Sequence, residues 1–108
     1  MAPASTVIVL TTLPADADAG AFGRALVDAR LAACVSILTG LRSIYRWKDA
    51  VEDAVEQQLI IKTDAGAVDA LKARLADLHP YEVPELLVLP ASDGGAAYLD
   101  WVRRSTTG

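Results

Sequence analysis

The segment HPYEVPE, His79 to Glu85, gathers much of the polar chemistry that this sequence offers. It holds the chain's one histidine, followed closely by Tyr81, Glu82 and Glu85. Imidazole beside a carboxylate suits a borderline divalent ion such as copper or zinc. The same pair suits proton transfer. A plainer reading is a helix stop: His79 caps the last carbonyls of a preceding helix, where a cationic ring is favoured, and Pro80 ends it. His79 with Glu82 or Glu85 is therefore the candidate ligand or acid–base set. One chain supplies too few soft ligands for a tight closed metal site, so such a site would be open, weak or shared between subunits.

Other reactive patterns are missing. The glycines match neither G-x-G-x-x-G nor G-x-x-x-x-G-K, and there is no H-E-x-x-H, no C-x-x-C and no serine in an elbow context. Cys34 could pair with His79 as a thiolate, but its neighbours Ala33 and Val35 fit a strand or core position better. Lys62 stands among apolar residues and is expected to pair with Glu82 or Glu85. Tyr45 and Trp47 alternate with Arg46 and Lys48, so one pair should pack while the other meets solvent or a carboxylate. Tyr81 and Trp101 are suited to anchor an interface.

These residues need elements to position them. Ser5 to Thr12 (STVIVLTT) reads as a central strand ended by Pro14. Asp16 or Asp18 caps a helix over Ala19 to Ala32, with Phe22, Leu26, Ala29 and Ala33 on one stripe. Cys34 to Trp47 is a second strand, bulged at Gly40. Lys48 to Asp53 is expected to be a turn and Gln57 to Thr63 a third strand. Asp64 caps a helix over Ala65 to Leu78, with its stripe at Val68, Leu71, Leu75 and Leu78. A strand, Leu86 to Leu89, precedes Pro90, and Ala96 to Arg104 forms a last helix.

The order predicts an α+β fold: a ferredoxin-like βαββαβ unit with an extra C-terminal helix. Two helices cover one sheet face only. The long apolar second strand therefore points to association between copies of the chain. With 108 residues, one domain over 1–108 is expected, its ordered core about 5–105.

The formal charge of −4 and the scattered basic residues argue against a nucleic-acid surface. No apolar run reaches the ~18–20 residues of a membrane span, and MAPASTVIVL lacks the basic start of a secretory signal. A single cysteine excludes an internal disulfide and fits a reducing compartment, most simply the cytoplasm.

Five segments together carry a resemblance: ACVSI (Ala33 to Ile37), SIYRWKD (Ser43 to Asp49), LIIKT (Leu59 to Thr63), HPYEVPE and YLDWV (Tyr98 to Val102). In order and spacing this set resembles the divalent-cation-tolerance protein family, CutA. The resemblance implies a non-enzymatic homotrimer with sheets extended across subunits and an assembly similar to the PII signalling proteins. It implies copper tolerance, with no obligatory cofactor and a weak site for Cu(II) or another divalent cation at His79, with Glu82 beside it. Some members carry a cysteine late in the first strand. Thr11 stands there in this chain, and a hydroxyl is a much poorer copper ligand than a thiolate. The resemblance also places Tyr45, Arg46, Trp47, Lys62, Tyr81, Glu85 and Trp101 around a cleft between subunits. Two alternatives stay open: a regulatory or scaffolding trimer binding a small anion or a protein partner in that cleft through Arg46, Lys48 and Lys62, and a small enzyme using His79 as base.

Overall fold

The computed structural model describes residues 5–106. Residues 1–4, the start of the segment weighed above as a signal, lie outside it. Four strands and three helices run in the order β1 (Thr6–Pro14), α1 (Ala19–Asp28), β2 (Cys34–Trp47), β3 (Ala50–Asp64), α2 (Val68–Leu78), β4 (Leu87–Pro90) and α3 (Ala96–Thr106). The sheet is antiparallel with strand order β2-β3-β1-β4. This is the expected ferredoxin-like arrangement with an added C-terminal helix.

Strand alternation sorts the side chains to two faces. Val7, Val9, Leu13, Leu59 and Ile61 pack against Phe22 and Leu26 of α1 and Leu71 and Leu75 of α2, which closes the core. The α2 stripe behaves as its spacing predicts. Leu71 and Leu75 are fully buried, while Val68 and Leu78 border the core. The opposite face carries Ile8, Leu10, Ile60, Leu87 and Leu89. There α3 packs on β3 and β1, with Val102 wholly buried. Much of the rest of that face is bare: Leu87 and Leu89 are exposed, as is Leu38 of the edge strand β2.

Three boundaries differ most instructively from the sequence reading. Helix α1 stops at Asp28, not Ala32, because Arg30 takes a left-handed conformation (φ 59°). Its N–H then bonds the Val27 carbonyl and the Leu31 N–H bonds that of Leu26, a Schellman ending. A 3₁₀ turn, Ala65–Ala67, precedes α2, with the Asp64 carboxylate accepting from the Gly66 N–H. The turn expected over Lys48 to Asp53 is only Lys48-Asp49, both at positive φ (49° and 64°), the signature of a tight type I′ hairpin. Strand β3 consequently begins at Ala50 and runs 15 residues. The β2–β3 hairpin it forms is the longest feature of the molecule, and its register shifts between Leu38 and Leu41, around Gly40.

Candidate functional site

His79 ends α2. Its backbone N–H bonds the Leu75 carbonyl, and its own conformation is already extended. The ring does not cap the helix as expected. It turns inward, 8% exposed, with Nε2 2.6 Å from the Thr12 carbonyl oxygen on β1. The Tyr81 N–H donates to Nδ1 at 3.1 Å. A nitrogen that accepts from an amide is unprotonated, so Nε2 carries the hydrogen and donates to Thr12. The ring is the neutral Nε2–H tautomer. Burial holds its pKa below the ordinary histidine value, against the opposing pull of the Thr12 carbonyl and the Glu56 charge. Phe22 meets it edge-on, 5.9 Å between centroids, and Tyr81 lies at 5.0 Å.

That latch sets the path of residues 80–85. Tyr81 turns its hydroxyl to donate to a Glu56 carboxylate oxygen at 2.7 Å. Burial first, then Glu56, holds the Tyr81 phenol well above its usual pKa. Glu85 accepts from the Gln58 amide at 3.1 Å, and the same amide nitrogen donates to the Thr11 carbonyl at 2.8 Å. Glu82 faces outward, 3.9 Å from the Lys48 ammonium.

Between this segment and the hairpin lies a cleft of about 770 Å³. Ser43, Tyr45 and Trp47 line it from β2, Glu56 and Gln58 from β3, and Tyr81, Glu82 and Glu85 from the segment itself. Tyr45 and Trp47 share one face of β2, as the alternation predicts, and remain 42% and 37% exposed.

Not every predicted residue reaches the cleft. Arg46 points to the other face of β2. Trp101 sits on α3, stacked at a tilt 5.5 Å from Tyr98, and lines no part of the cleft. Lys62 does not pair with Glu82 or Glu85. Its ammonium donates to the Ser36 hydroxyl at 2.9 Å. It lies four residues beyond Gln58 on β3, about 13 Å at ~3.3 Å per residue, so Glu85 is out of reach. Cys34 stands beside Ser36 at 3.8 Å, away from His79. The sequence reading passed over Glu56, Gln58, Ser43 and Thr12. Extending the alternation of Ile60 back along β3 would have put Glu56 and Gln58 on the cleft side.

The residues present do not make a seat for a resident copper ion within one chain. Both His79 nitrogens are engaged, Glu82 lies beside the Lys48 ammonium and Glu85 accepts from Gln58. Thr11 is wholly buried, and its hydroxyl finds no hydrogen-bond partner. Among the described residues, no group of three or more His, Cys, Asp or Glu side chains is placed to hold a metal.

Residues 7–105 match the family described as CutA1 divalent ion tolerance protein. The chain belongs to the CutA1 family. The divalent-cation tolerance protein CutA of Thermus thermophilus is 48% identical over 99 residues, covering 92% of this chain and 96% of that one. Among solved structures, CutA from Xylella fastidiosa superposes with a TM-score of 0.91 at 40% identity, over 95% of this chain and 99% of that one. The PII-like protein CutA from Nostoc, in its apo form, gives 0.87 at 34% identity, over 94% and 97%. The CutA1 description thus meets the expectation drawn from the five sequence segments. No helix among the described residues is long and apolar enough to cross a membrane.

Proposed function

We propose that this CutA1 chain is a non-enzymatic, cytoplasmic homotrimer that works by binding a ligand in the cleft beneath His79 to Glu85. The observation that carries this reading is the cleft itself: about 770 Å³, with aromatic walls and the Glu56 carboxylate at its base. The scale is that of small-molecule sites. Self-association is supported by the unpaired edges of β2 and β4 and by exposed apolar residues on the hairpin and β4, among them Ile44, Val55, Leu87 and Leu89. The anion version of this reading has little behind it. Glu56, Glu82 and Glu85 line the cleft, while Lys62 and Arg46 do not.

A second reading, Cu(II) on His79 with Glu82, draws support from the divalent-ion tolerance description of the family. In that reading the imidazole gives up the Tyr81 N–H to free Nδ1. Both readings are tested by sedimentation velocity for the trimer and by ligand titrations read through amide chemical shifts. Shifts centred on Tyr45, Trp47 and Tyr81 support the cleft. A Cu(II) site lost in His79→Ala and retained in Glu56→Gln supports the metal reading instead.

A further inference from the structure

We propose that the cleft selects an alkylammonium group, with the Glu56 carboxylate as its anchor and the Tyr45 and Tyr81 rings beside it. This inference rests on the reading of the cleft as a binding site and specifies the charge and class of what enters.

Glu56 is the decisive residue. It is only 6% exposed, and one of its carboxylate oxygens accepts from Tyr81. No cation pairs with it among the described residues. A buried carboxylate without a counter-charge is unfavourable, and buried charges are ordinarily paired. Its side chain opens on the cleft, so the missing positive charge has a route in. Glu82 and Glu85 add negative potential to the same space, and no basic side chain lines it.

The shape of the cation follows from the walls. Ring faces of Trp and Tyr attract a cation whose charge is spread over an organic group. The molecule already holds one example. The Lys48 ammonium lies 5.6 Å from the centre of the Trp47 ring and 3.9 Å from Glu82. An alkylammonium is thus already seated on an aromatic face beside a carboxylate at the rim of the cleft. A compact metal ion needs several ligands converging at short range, and no such cluster is present among the described residues. A small amine needs only one carboxylate, a ring face and apolar room for its tail.

The test uses three probes sharing a short alkyl chain, n-butylammonium, 1-butanol and butyrate, titrated into the intact protein by NMR. Butylammonium is expected to bind at least tenfold more tightly than either companion, with shifts at Tyr45, Tyr81 and Glu56. Glu56→Gln should bring its affinity down to that of butanol. Should that variant fold poorly, Tyr45→Leu on the exposed hairpin carries the test, weakening butylammonium several-fold and leaving butanol unchanged. Butanol or butyrate matching butylammonium, or a cation preference that survives both substitutions, overturns the ammonium assignment and leaves cleft binding standing. Failure of all three probes to bind overturns the cleft reading with it.

Discussion

His79 Nε2 lies 2.6 Å from the carbonyl oxygen of Thr12, 67 positions earlier in the chain. This one bond ties the end of α2 to the central strand. Through the Tyr81 N–H on the other ring nitrogen, it also fixes the start of the segment that walls the cleft. The histidine is thus a latch whose two nitrogens are used structurally.

Replacing His79 by Ala should lower unfolding stability by about 2–4 kcal/mol. The Thr12 carbonyl and the Tyr81 N–H both lose their partner, at about 1–3 kcal/mol for a buried group left unsatisfied. The ring contact with Phe22 goes as well. Urea denaturation at fixed protomer concentration measures the loss. His79→Gln should recover part of it, because its amide can donate to Thr12. Equal stability of both variants and the parent would remove the latch.

Burial of the same ring sets a pH dependence. The folded pKa of His79 lies below the ordinary 6.5, first through burial. Between the two values the unfolded chain binds more protons, so stability rises with pH there. The contribution is complete above about 6.5 and is lost as pH falls through the folded value. Protonation at Nδ1 would also set two donors, the ring and the Tyr81 N–H, against each other. Urea midpoints between pH 7.5 and 5 should fall more steeply in the parent than in His79→Gln.

Much of the architecture was legible because its signals are local. The α2 stripe, the Asp64 cap and the alternation of Tyr45 and Trp47 all follow from spacing. The early part of β3 was not legible. Ala50 to Glu56 sets three acidic residues among Ala and Val; its strand state comes from its pairing with Leu41 to Trp47, and such propensity belongs to cross-strand neighbours. Its turn also lacks the Asn-Gly or Gly pattern that marks type I′ hairpins. The cleft suffered for the same reason. Glu56 sits just before Gln57, where the third strand was expected to begin, and Tyr81 reaches it from 25 positions away. Likewise, the latch on Thr12 has no counterpart in local sequence.

Thr11→Val should be neutral or stabilising, by up to about 1 kcal/mol. The Thr11 hydroxyl is wholly buried without a partner, and a methyl in its place removes that desolvation cost at nearly equal volume. For a chain of this size, 1 kcal/mol corresponds to about 4–8 °C in Tm. Differential scanning calorimetry checks it. A clear loss would mean that the hydroxyl has a partner in the assembled protein.

Gly40→Ala should cost about 1–2 kcal/mol, the penalty of placing an L side chain in the left-handed region. Gly40 has φ +77° and open space around it, so the cost is conformational and not steric. Gly40→Asn should be milder, since asparagine tolerates that region. Chemical denaturation of the two variants separates the cases.

Tyr81→Phe tests the base of the cleft. The phenol donates to a carboxylate that is almost fully buried, and a hydrogen bond to a charged group contributes about 1.5–3 kcal/mol. Tyr81→Phe leaves Glu56 without a hydrogen-bond donor among the described residues, so a loss in that range is expected at neutral pH. Glu56→Gln removes the charge and keeps an acceptor for the phenol, so it should cost less. If the two residues act through their mutual bond, the double variant should lose less than the sum of the singles, and that coupling is what a double-mutant cycle isolates. A second readout follows from the raised phenol pKa. In the parent, ultraviolet titration should show one tyrosine that resists ionisation well past pH 10, and that resistant signal should vanish in Tyr81→Phe. Strict additivity, with all tyrosines ionising in the ordinary range, would show that Tyr81 and Glu56 do not meet in solution.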